Sequence, residues 1–396
     1  MLAVRRILPI FLLALVLLSA SGTLVLGAGD TCALYTIQID SAHPKIISVD
    51  LKLPELNDAT RADLFDLPER DKRRSQISQV QCDGRKVSQH ADQGWVFPLG
   101  CKKASWIVTL KDVPRLGYDP SSQTAITDMK NRWMFLPGGA VFLLLDGYLG
   151  PAEIDFVLPH QWPTFHVLEK TAHGTYQMPA EWRIGLVFIG IGQFKVRQAK
   201  AGDVHVRHLL VQEPSFDFDR IVRRHRLALQ YLADLFGQSP TEKLDIFWFS
   251  RSDLARQIGG VSGYRTLAVN YLDKIPESAG VLHRQISLMT LLHEHFHQFD
   301  ESGPTWFRES LAQYYSMKSL RETEAIDRKT FEELLHKMTG RGATETRSLV
   351  DLQKQYNKTG DMRIYPLFYS RGCEFWSKID EAIIEENKGT KSLDHA

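Results

Sequence analysis

The spacing of apolar residues changes once along the chain, near Pro214, and that change limits the folds open to it. Before Pro214, short apolar or alternating runs recur between turn residues. Ile47, Val49, Leu51 and Leu53 alternate with Ser48, Asp50 and Lys52, the period-two pattern of a strand with one buried face. Trp106–Leu110, Ala140–Leu145, Ile154–Leu158, Arg183–Ile189 and Val204–Val211 read as further strands, punctuated by Pro137-Gly138-Gly139, Asp146-Gly147, Pro159 and Gly202-Asp203. The charged stretch Asp58–Arg74 reads as a loop or short helix inserted among them. After Pro214 the steps become three and four. Ile221, Val222, His225, Leu229, Leu232 and Phe236 form one stripe, with Asp217 or Asp219 suited to cap its start and Gly237 and Pro240 to end it. Leu244–Phe249 and Arg265–Leu272 read as strands on either side of a tight loop at Gly259–Gly263, and helices are expected over His283–Phe299, Trp306–Leu320, Lys329–Thr339 and Pro366–Glu386. The expectation is an α+β chain. Residues 30–214 form a β-rich, sandwich-like domain, and residues 215–396 a mainly helical one.

With 43% hydrophobic and 24% charged residues, the chain has the make-up of a folded globular protein. Lys plus Arg is 48 against 47 for Asp plus Glu, a net charge of +1 with no dense basic stripe, so a nucleic-acid partner is not expected. The cluster Arg220, Arg223, Arg224 and Arg226 reads as a solvated helix face. Arg5 and Arg6 precede the apolar run Ile7–Leu18, and small residues follow up to Ala28. Residues 1–28 therefore read as a signal peptide, or as an uncleaved anchor spanning residues 7–28, which would be the chain's one tie to a membrane. Either reading makes the remainder exported, periplasmic or secreted. Export permits disulfides. Cys82 and Cys101 flank a candidate hairpin, Cys32 competes for either of them, and Cys373 lies far away in a helical segment. There is no Cys-x-x-Cys spacing, which disfavours a cysteine zinc site.

The segment with the most chemical content is His293-Glu294-His295-Phe296-His297. His293 and His297 are four apart, so on a helix their imidazoles project from one face, one turn apart, and can meet a single Zn2+. Glu294 then points beside the metal, where its carboxylate can take a proton from water. His295 points elsewhere and reads as a non-ligand. A catalytic zinc has three protein ligands and one open position. Glu309 supplies the third, on a second helix that can fold back across the first through Asp300, Ser302, Gly303 and Pro304. Asp300 and Glu301 are competing carboxylates but sit in the turn, where they read as caps. Gln313, one turn beyond Glu309, is either a brace for a ligand histidine or an exposed polar residue. Tyr369, in Tyr369-Ser370-Arg371-Gly372, is a candidate donor to the negative charge that develops on a carbonyl oxygen during hydrolysis.

His-Glu-x-x-His, then Trp306-x-x-Glu309-x-x-Ala312-x-Tyr314, then Tyr369-x-Arg371-Gly372, resembles the gluzincin zinc peptidases. The likeness is greatest to the glycyl-aminopeptidase family, with aminopeptidase N a more distant relative; it is strong over residues 216–396 and vague over 30–215. It implies a thermolysin-like catalytic domain behind an N-terminal β domain, one zinc ion held by His293, His297 and Glu309, Glu294 as general base and acid, and Tyr369 as transition-state donor. It also implies a peptide or protein substrate. Three departures stand out. Only eleven residues separate His297 from Glu309, fewer than is usual in that family. Ser310 replaces the usual glycine after the ligand glutamate. The edge-strand segment Gly259-Gly260-Val261-Ser262-Gly263-Tyr264 carries no acid where family members often have Gly-Leu-Glu-His, and an aminopeptidase needs a carboxylate for the substrate's free amine. The other function class the sequence allows is a non-enzymatic exported binding or assembly protein that keeps a metallopeptidase scaffold.

Overall fold

The computed structural model describes residues 32–395 apart from 55–58, 65–72, 91–93, 115–116, 149, 160–161, 179–184, 238, 240, 253–258, 275–280, 300–302, 341 and 343. Residues 1–28, read above as a signal peptide or anchor, lie outside the described residues, as do most of the charged insert and the turn acids Asp300 and Glu301. Among the described residues no helix is long and apolar enough to cross a membrane.

Strands β1 (Ala33–Ile39), β2 (Ile46–Lys52), β3 (Ile77–Cys82), β4 (Lys103–Thr109) and β6 (Ala152–Val157) belong to one eight-stranded sheet. The alternation read at Ile47–Leu53 appears as buried Ile47, Val49 and Leu51 on one face of β2. Strands β5 (Trp133–Pro137) and β7 (Phe188–Gly192) pair in a second sheet. A third, four-stranded sheet includes Thr60–Asp63, a strand within the stretch expected to be loop or helix. Cys82 and Cys101 form a disulfide, while Cys32 and Cys373 are free. Ala140–Leu145 is not the expected strand. Gly138–Val141 is one helical turn with its residues buried, and only Leu144–Leu145 pairs as a strand. A short apolar run looks the same in a buried turn and a buried strand, so its period could not decide.

A five-stranded mixed sheet carries the other half, in the order β8 (Lys195–Ala201), β9 (Val204–Leu210), β10 (Lys243–Arg251), β12 (Thr266–Leu272), β11 (Gly260–Gly263). β11, expected as a tight loop, is the edge strand of this sheet, antiparallel to β12 in the register Gly260↔Val269 to Gly263↔Thr266. Its glycines had suggested a turn; they instead allow close approach, as the site below shows. One face of the sheet packs under the helices through Val206, Leu244, Ile246, Leu267 and Val269. On the other face, Phe247, Phe249 and Ala268 join Tyr118, Trp133, Phe135 and Phe188 in a shared aromatic layer. That layer ties the sheet to the strands before it.

Helix α1 (Phe218–Phe236) starts where Asp217 accepts from the Arg220 N–H and ends at Gly237, whose φ of 73° suits a residue without a Cβ. It is followed by α2 (Val281–Phe296), α3 (Thr305–Glu322), α4 (Arg328–Gly340), α5 (Leu349–Thr359) and α6 (Tyr365–Glu386). Helix α5 was not anticipated, although its signals are present: the Ser348 hydroxyl accepts from the Asp351 N–H, and Gly360 closes the end at φ 63°.

Candidate metal centre

The last turn of α2 carries His293 and brings His297, just past the helix end, onto the same side. Helix α3 crosses them. It begins after Pro304, and Gln353 of α5 accepts from the Trp306 N–H at 2.9 Å. Glu309 then sits in the second turn of α3 and faces both histidines. Glu309 Oε2 lies 3.2 Å from His293 Nε2 and 3.6 Å from His297 Nε2, and the two imidazole nitrogens are 3.3 Å apart. A tetrahedral zinc with bonds of about 2.0–2.1 Å holds neighbouring ligand atoms about 3.3–3.4 Å apart. Three donor atoms at nearly that spacing, two nitrogens and a carboxylate oxygen, fit one such ion.

Glu294, the residue after the first histidine, lies beneath the edge strand β11. A Cβ added at Gly260 would fall 2.6 Å from Glu294 Cγ and 2.9 Å from Thr290 Cγ2, so only glycine lets the strand pass this close. The carboxyl is pushed above its ordinary range by burial and by the neighbouring Glu309, against the pull of His293 and His297 and a hydrogen bond from the Ser262 N–H. Gln298 fixes the same strand by donating to the Ser262 hydroxyl and, at 2.7 Å, to the Gly263 carbonyl. Burial raises Glu309 as well, but hydrogen bonds from His293 and His297 outweigh it and hold that carboxylate well below its usual value. The two acids are thereby pushed apart, one toward holding a proton and one toward staying charged.

Helix α6 supplies two tyrosines on one face. Tyr369 packs edge-on against His293, with ring centroids 5.4 Å apart. Tyr365, one turn earlier, donates to Glu309 Oε1 at 2.7 Å. Burial and Glu309 push both phenols upward, so they stay protonated as donors. The crossing of α3 and α6 that brings them there is unusually close. A Cβ at Gly372 would lie 1.9 Å from Ser310 Cβ, and Trp376 Nε1 donates to the Ser310 hydroxyl at 2.8 Å. Ser310, the departure from the expected glycine, is thus accommodated by a glycine on the partner helix.

The structure brings His293, Glu294, His297, Glu309 and Tyr369 together. Gln313 is turned away and donates to Ser316 at 3.4 Å, so it braces no ligand. Arg371 leaves the site and donates to the Glu345 carbonyl. His295 points into the opposite side of α2, where its Nδ1 is 2.8 Å from His225 Nε2. Two neighbours of the site, and one residue behind its edge strand, went unnoticed in the sequence. Tyr365 had a usable signal, its i, i+4 spacing from Tyr369. Gln298 and Asp119 had none, since both depend on contacts with β11. Asp119 comes from the N-terminal half and lies behind the strand: a Cβ at Gly259 would stand 3.0 Å from its Oδ1, whereas one at Gly260 would meet Glu294 on the other side, and the Asp119 carboxylate already accepts from the Ser121 N–H and hydroxyl.

No protein family matches the chain by sequence, and no curated protein does either. Solved structures do. An aminopeptidase N family protein from Idiomarina loihiensis superposes with a TM-score of 0.74 at 17% identity, over 91% of this chain and 68% of that one. The fold is the aminopeptidase N fold. A mutant M1 zinc metallopeptidase from Deinococcus radiodurans, solved with a Tyr-Ser-Ala substrate, gives a TM-score of 0.50 at 14% identity, over 91% of this chain and 85% of that one.

Proposed function

We propose that this protein is a zinc-dependent peptidase of the gluzincin type, hydrolysing peptide bonds with Glu294 as general base. The observation that carries the reading is the convergence of His293, His297 and Glu309 at tetrahedral spacing, with a buried, proton-seeking carboxylate beside them. Zinc, when bound, would acidify a water molecule and polarise the scissile carbonyl. Glu294 takes the proton from the attacking water and returns it to the leaving amine. Tyr369 donates a hydrogen bond to the carbonyl oxygen as negative charge builds on it. Tyr365 holds Glu309 by its second oxygen, leaving the first for the metal. The motif resemblance over residues 216–396 supports reading these helices as a thermolysin-like catalytic domain.

Export is supported by the leader over residues 1–28 and by the Cys82–Cys101 disulfide.

The test is turnover of a peptide library by the zinc-loaded protein. Chelation should abolish it and added zinc restore it. Glu294→Gln should keep stoichiometric zinc and lose about 10³-fold or more in rate; unchanged turnover in that variant rejects the mechanism.

A further inference from the structure

Away from the metal centre, a cavity of about 520 Å³ opens between the N-terminal half and the far edge of the five-stranded sheet. Strand register sets its chemistry. Lys200 pairs with His205 across β8 and β9, and His205 with Lys243 across β9 and β10, so the three form one rung. The next rung on the same face is Gln198, Arg207 and Asp245. Arg207 grips Asp245 with two hydrogen bonds, of 2.7 and 2.6 Å, and donates to the His166 carbonyl at 3.0 Å, which closes the cavity's wall. Asp245 is thereby neutralised. Lys200, His205 and Lys243 are exposed and have no partner among the described residues. The wall residue His166 is stacked on Phe156 and keeps its buried Nδ1 unpartnered.

This leaves two uncompensated ammonium groups two strands apart, about 10 Å at the backbone, on the rim of a concavity whose only carboxylate among the described lining residues, Asp245, is already paired. Like charges so placed repel each other, and a doubly charged guest relieves both at once. We propose that this cavity is a binding site for a small oxyanion ligand, a phosphate or a dicarboxylate, held by Lys200 and Lys243 with His205 between them. The site is separate from the metal centre and does not depend on the peptidase reading.

Calorimetric titration of the zinc-loaded protein with inorganic phosphate, and separately with succinate, tests it. At 0.1 M salt, at least one should bind with a dissociation constant below about 1 mM, and the arm that responds identifies the oxyanion. The exposed pair Lys200→Ala/Lys243→Ala should weaken that binding about tenfold or more, while Lys200→Arg/Lys243→Arg should retain it. The thermal midpoint of the unliganded variants should match that of the parent, because neither lysine is buried. Binding of equal strength in the alanine pair would mean that the anion sits elsewhere, the metal included, and would overturn the proposal. Failure of both ligands to bind below about 10 mM would overturn it too.

Discussion

Helix α2 presents histidines to two different surroundings within five residues. His293 and His297 face a carboxylate and two tyrosines, whereas His295, between them in sequence, faces the core. There it meets His225 at 2.8 Å, and His208 lies beyond, its Nδ1 accepting from Trp248 Nε1 at 3.1 Å. All three core histidines are buried. Burial pushes His208 and His295 down to about 3, and His225 well below its ordinary value, so they fold as neutral imidazoles. The same side chain is a ligand on one face and a hydrogen-bonding core residue on the other. What separates the roles is the charge of the neighbours: only the first pair has an anion within reach.

Mutation on each face breaks the comparison most sharply. His297→Ala should lose stoichiometric zinc and at least about 10³-fold in activity, with folding retained. His295→Ala should keep the zinc ratio but lose about 2–4 kcal/mol of stability, since it leaves a cavity and deprives His225 of its partner; metal analysis beside urea unfolding distinguishes the two. If His295→Ala also empties the site, the two faces are not independent.

Acid sharpens the same contrast. His208 is ordinary at 6.5 when unfolded and about 3 when folded, so below pH 6.5 the unfolded chain takes up a proton that the folded chain refuses. Its contribution to stability is complete above that value and is lost from pH 6.5 down toward 3, by up to about 1.4 kcal/mol per pH unit. Urea midpoints between pH 7 and 5 should fall accordingly, and His208→Gln should flatten the slope. The smallest effect is expected on the ligand side. Tyr365→Phe frees Glu309 Oε1 and should weaken zinc about tenfold, measured by competition with a chelator.

The sequence made one side of this helix legible and not the other. Four-residue spacing with an intervening glutamate is a local pattern, so His293, Glu294 and His297 could be read directly. Glu309 followed from a short turn and a helical period. His208, His225 and His295 come from a strand and two helices, and no spacing within any one of them signals the meeting. Asp119 reaches β11 from across the molecule and was invisible for the same reason. The strand-to-helix change near Pro214 was plain, yet the period could not reveal that β8 and β9, which precede it, hydrogen-bond into the sheet beneath the helices. Glycine misled at β11: Gly259-Gly260 resembles a turn, and its use as a clearance over Glu294 is a tertiary fact.

That shared sheet has a practical corollary for anyone wishing to isolate the zinc-binding half. A polypeptide cut at residue 215 would leave β10, a run of bulky apolar side chains, with one flank of its backbone amides and carbonyls bare and Phe247 and Phe249 stripped of their aromatic cover. Such an edge recruits other chains, so the excised piece should precipitate, whereas one beginning ahead of Lys195 keeps its own border strands.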